Sequence, residues 1–107
     1  MDEPLGPEEL EELEEPTRRE CWLQAFYEYV GYLPEVGVVA CPECGARTLS
    51  VLADGDPISR AGMCEFWCDT CLIGIQIFRM IVPDKIEIPT AAFDPRVAAM
   101  PRFAIVM

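Results

Sequence analysis

Four of the six cysteines fall into two Cys-x-x-Cys pairs, Cys41 with Cys44 and Cys68 with Cys71, with 23 residues between the pairs. Two intervening residues let both sulfurs of a pair face one point while the backbone turns around them. Gly45, directly after the first pair, can take the positive φ that such a turn requires. Two pairs brought together supply four thiolates, a common donor set for a structural, tetrahedral zinc site. Iron accepts the same four-sulfur geometry and ranks second. A redox dithiol at Cys41 and Cys44 would need a helix immediately after the motif to lower a thiol pKa, but Gly45 and a strand-like stretch follow.

The other two cysteines read differently. Cys64 lies four residues before Cys68, roughly 13 Å along an extended strand, too far to share a metal whose sulfurs sit about 2.3 Å away. It reads as a small buried apolar side chain, and so does Cys21 on a predicted helix. A Cys21–Cys64 disulfide is the rival, disfavoured in a reducing compartment. Four thiolates around a divalent ion take the formal charge from −11 to −13. Backbone N–H groups of the turns would offset much of that, and Arg47, three residues past Cys44, is the candidate side chain for the rest.

Cys41-Pro42-Glu43-Cys44-Gly45 together with Cys68-Asp69-Thr70-Cys71, and the strands between and after them, resembles the zinc-ribbon family over residues 36–82. The resemblance implies two cysteine knuckles beside a three-stranded antiparallel sheet, with Cys41, Cys44, Cys68 and Cys71 as zinc ligands. It departs from the family where Leu72, not glycine, follows Cys71, which leaves the turn of the second knuckle open and counts against a rubredoxin-like iron site. The family spans transcription, ribosomal, enzyme and adaptor proteins, so it implies a site rather than a job.

The elements that must position these cysteines are legible in the patterning. Thr17-Arg18-Arg19-Glu20 fits a capping box. Behind it Trp22, Phe26, Tyr29 and Leu33 recur at helical spacing, so the periodicity predicts a helix from Arg18 to Val30 with Gly31 as its stop. Its aromatic stripe should pack on a sheet. Strands are predicted at Arg47–Ala53, Met63–Trp67 and Gly74–Val82, the first closed by Asp54-Gly55-Asp56-Pro57. Lys85–Ile88 should continue the sheet after a Pro83-Asp84 turn, residues 89–101 read as irregular, and Arg102–Met107 should dock as an edge strand. The expected fold is therefore α+β: an N-terminal helix on a small antiparallel sheet with a zinc-ribbon core. Residues 1–16 form an acidic arm, either a short helix or disordered. Residues 17–107 form one domain, with the ribbon at 36–82 and a C-terminal extension at 83–107.

Charge and composition bound the function. Residues 1–15 hold eight acids and no base, and the rest of the chain is nearly balanced. No basic stripe is visible, so direct nucleic-acid binding is not expected, and a protein partner with a basic surface is. No apolar run approaches the roughly 20 residues of a membrane span. An acidic N-terminus and paired cysteines point to the cytoplasm. The chain has no histidine, no P-loop and no Gly-x-Gly-x-x-Gly, and a metal held by four cysteines has no open position. The expectation is a non-enzymatic zinc-binding interaction module, either an adaptor or an inhibitor or immunity-type protein. The alternatives are a nucleic-acid-associated zinc ribbon in transcription or translation and an iron electron carrier.

Overall fold

A computed structural model describes residues 16–89 and 95–106. The elements in chain order are α1 (Arg18–Tyr32), β1 (Leu49–Gly55), β2 (Ala61–Cys68), β3 (Ile73–Ile81), α2 (Pro95–Ala99) and β4 (Ala104–Ile105). The strands form one sheet in the order β1-β2-β3-β4. The first two pairings are antiparallel, and β4 runs parallel to β3. The fold is α+β with a mixed rather than wholly antiparallel sheet. The expected arm over residues 1–16 lies, except for Pro16, outside the described residues.

Helix α1 begins at the capping box: Glu20 N–H donates to Thr17 Oγ1 at 3.1 Å, and Thr17 N–H donates to Glu20 Oε1 at 2.8 Å. It runs two residues past the expected end. Gly31 stays helical and Leu33 caps the helix with φ −54° and ψ 142°, because the ring of Pro34 disfavours a helical residue before it. Trp22, Ala25, Phe26 and Tyr29 form the buried stripe, at helical spacing. They close over one face of the sheet, where Phe66 meets Trp22, Phe26 and Tyr29 edge-on at centroid distances of 5.8, 5.4 and 5.2 Å. Edge-to-face pairs place a positive ring edge against a negative ring face and add to the burial.

Strand register carries this face across the sheet. Leu49 opposes Cys68, Ala53 opposes Cys64, and Phe66 lies between Val51 and Ile75. These side chains alternate with Ser50, Leu52 and Asp54 on β1 and with Met63, Glu65 and Trp67 on β2, which face the other way. A bulge interrupts β3: Met63 faces both Phe78 and Arg79, and Arg79 takes φ +56°.

The expected strand at Lys85–Ile88 is a turn instead. Arg60 donates to the carbonyls of Val82 (3.1 Å), Pro83 (2.8 Å) and Ile86, and Ile86 N–H returns to Pro83 O at 3.0 Å. Both backbone groups of Ile86 are thereby taken, its N–H by Pro83 and its carbonyl by the Arg60 side chain, and Ile86 and Ile88 are buried in the core from an irregular segment. The expected edge strand at Arg102–Met107 narrows to Ala104–Ile105. Its N–H groups enter through Ala104 to Leu72 O (2.9 Å) and Val106 to Gly74 O (2.8 Å). The stretch read as irregular contains the five-residue helix α2.

Candidate metal centre

The first knuckle lies in the loop between α1 and β1, and the second joins β2 to β3. Each is built by the same backbone device. In the first, Gly45 N–H donates to Cys41 O at 2.9 Å and Glu43 N–H to Cys41 Sγ at 3.2 Å. In the second, Leu72 N–H donates to Cys68 O at 2.9 Å and Thr70 N–H to Cys68 Sγ at 3.4 Å. Gly45 has φ +82° and Leu72 φ +56°, so the position after each second cysteine is left-handed. The turn left open by Leu72 is thus the same turn as the first, made by a residue whose Cβ strains it.

Register brings the knuckles together. Leu49 pairs with Cys68, which sets Thr48, just past the first knuckle, beside the second. Asp69 N–H donates to Thr48 O at 2.9 Å, and the Thr48 hydroxyl lies 3.4 Å from Cys68 Sγ and 2.7 Å from Thr70 Oγ1. Asp69 accepts from Ser50 Oγ at 2.6 Å and Trp67 Nε1 at 2.8 Å, fixing the second knuckle to β1 and β2. Trp67 in turn stacks on Phe103 at 5.4 Å.

The four cysteines singled out by their spacing meet at one point. Their sulfurs all lie within 4.8 Å of one another, with Cys41–Cys71 and Cys44–Cys68 both at 3.7 Å. Sulfurs about 2.3 Å from a central ion stand at tetrahedral corners about 3.8 Å apart. The two 3.7 Å edges match that figure, so the cluster fits a metal ion. Cys41 and Cys68 are buried, Cys71 is half-buried and Cys44 is exposed, so the centre lies at the surface with one side toward solvent.

The thiol chemistry follows from this crowding. At Cys68 burial pushes the pKa up, but hydrogen bonds from Thr48 and from the N–H groups of Cys71 and Thr70 outweigh it and bring the thiol down to about 6. Burial and the neighbouring sulfurs push Cys71 up to about 12, and burial also raises Cys41. The protein thus favours the thiolate at Cys68 and the neutral thiol at Cys41 and Cys71. A cation is needed to hold all four deprotonated.

Cys64 is fully buried on β2, outside the cluster, and burial pushes its thiol up to about 11. Cys21 is a half-buried free thiol, and no disulfide joins it to Cys64.

The cation beside the centre is Arg18 rather than Arg47. Glu43, inside the first knuckle, accepts from Arg18 Nε at 2.5 Å and from Trp22 Nε1 at 3.0 Å. The Glu43 hydrogen bond raises the Arg18 pKa, with a smaller contribution from Cys71. The Arg18 and Trp22 bonds hold the Glu43 carboxyl below its ordinary value. Arg47 makes no side-chain hydrogen bond or ion pair among the described residues. Glu43 is thus a latch between knuckle and helix that sequence spacing does not disclose, since its partners lie 25 and 21 residues away. Among the described residues no helix is long and apolar enough to cross a membrane. No protein-family model, no curated protein and no solved structure matches this chain.

Proposed function

We propose that this chain is a non-enzymatic interaction module whose four-cysteine centre binds zinc and holds the sheet, helix and knuckles in one arrangement for a protein partner with a basic surface. The observation that carries the reading is the convergence of four sulfurs from two knuckles, with two edges of tetrahedral length and every corner taken by protein. A divalent ion so enclosed has no position for a reacting water, so its role is to fix structure.

Charge supports the choice of partner. The chain carries −11 overall. Of its eight bases, Arg18, Arg19, Arg60, Lys85 and Arg96 are each engaged by carboxylates or carbonyls of the chain itself. That leaves Arg79 on β3 and Arg47 and Arg102 in the segments before β1 and β4, and three scattered charges make no stripe for a phosphate backbone. Exposed apolar side chains such as Tyr27, Phe78 and Ile81 are available for contact instead. The test compares the zinc-loaded protein with and without residues 1–16. A protein partner recovered by affinity capture should bind more weakly, and with a flatter salt dependence, once the acidic segment is removed. A mobility shift with single- or double-stranded nucleic acid at low salt would overturn the reading in favour of a nucleic-acid-bound ribbon.

A further inference from the structure

The face of the sheet turned away from α1 carries a cavity of about 260 Å³ over the β1–β2 hairpin. Its floor is a two-by-two patch set by register: Leu52 opposite Glu65, and Asp54 opposite Met63. Val97 of α2 and Met100 just beyond it form a wall. The walls are apolar and the two polar side chains are both carboxylates. Neither Asp54 nor Glu65 has a hydrogen-bond or ion-pair partner among the described residues, although Glu65 is half-buried. Arg96, which lines the adjoining cavity, is held by Glu87 at 2.8 Å.

We infer that this cavity receives an arginine side chain of the protein partner, an inference that rests on the reading of the chain as a module for a basic surface. At about 260 Å³ the cavity lies just below the roughly 300–1,000 Å³ of pockets that enclose small organic ligands. Asp54 and Glu65 are diagonal neighbours across the strand pair, roughly 7–8 Å apart at the backbone. That spacing lets a planar guanidinium lie between them and donate to both, which a compact ammonium cannot do as well. The aliphatic stem of arginine would lie against Leu52, Val97 and the two methionines, whose flexible thioethers fit irregular contacts.

The probe is a blocked heptapeptide with one central arginine, compared with the same peptide carrying neutral citrulline. Both are titrated into the zinc-loaded, isotope-labelled protein to about 10 mM, weak enough to register one side-chain contact. The arginine peptide should move the amide resonances of Leu52, Asp54, Met63 and Glu65. Citrulline, or the double variant D54N/E65Q, should weaken binding about tenfold or more, while E28Q/E35Q on the opposite side of the molecule should not. The same spectra report whether each variant is folded. Equal binding of citrulline, or indifference to D54N/E65Q, overturns the inference. Shifts confined to other acidic residues also overturn it, yet leave the basic-partner reading standing. No response from the arginine peptide anywhere overturns the inference alone, since capture of a basic partner tests the broader reading separately.

Discussion

Replacing Glu43 separates a buried hydrogen bond from a surface ion pair. Its carboxylate accepts from Trp22 Nε1 at 3.0 Å and Arg18 Nε at 2.5 Å, but the two donors sit in different surroundings. Trp22 is 0% exposed, whereas the Arg18 side chain is 58% exposed. A buried indole N–H left without an acceptor costs about 1–3 kcal/mol, while pairs with an exposed partner contribute little. Glu43→Ala should therefore destabilise the zinc-loaded protein by about 1–3 kcal/mol. Glu43→Gln keeps an oxygen for Trp22 and should cost less than about 1 kcal/mol. Arg18→Ala should leave stability nearly unchanged. Urea unfolding in saturating zinc, followed by tryptophan fluorescence, measures all three. If Arg18→Ala matched Glu43→Ala, or if glutamine were no better than alanine, the buried hydrogen bond would not be what joins knuckle and helix.

Three further outcomes follow from the same geometry. The Glu43 carboxyl is held below its ordinary 4.5 by Arg18 and then Trp22, so its contribution is complete above about pH 4.5 and is lost as pH falls through the lower folded value. The stability difference between wild type and Glu43→Gln should narrow in that acid window, as measured by denaturant titration at each pH. Loading the metal-free protein with zinc near neutral pH should release at least two protons, from Cys41 and Cys71, whose thiols burial pushes up. Calorimetry in buffers of different ionisation enthalpy counts them. Gly45→Ala places its Cβ in open space, with no atom within 4 Å, but at φ +82°. It should cost about 1–2 kcal/mol from backbone strain alone, read as a shifted urea midpoint.

The sequence discloses what is local. Trp22, Phe26 and Tyr29 announce a helix because one face of a helix repeats every three to four residues, and the Cys-x-x-Cys spacing announces a knuckle because two sulfurs must share one point. The misreadings arise where distant residues decide. Ile86 and Ile88 alternate like a strand, but Arg60, more than 20 residues earlier, takes the carbonyls around them. Propensity places the stop of α1 at Gly31, whereas the helix runs on to Tyr32 and ends before Pro34. Arg47 is close to Cys44 in sequence, yet the cation that reaches the centre is Arg18, delivered by the helix register and held by Glu43. Leu72 shows the converse: a residue unsuited to positive φ is held there by the Cys68 carbonyl and the start of β3, so the missing glycine does not change the turn.

Metal analysis of protein isolated without added metal, coupled to X-ray absorption at the metal edge, tests the central claim. One zinc per chain is expected, with a shell of four sulfurs at about 2.3 Å. Metal-free material that folds unaided, an oxygen or nitrogen in the shell, or a red protein with iron in that place would contradict it.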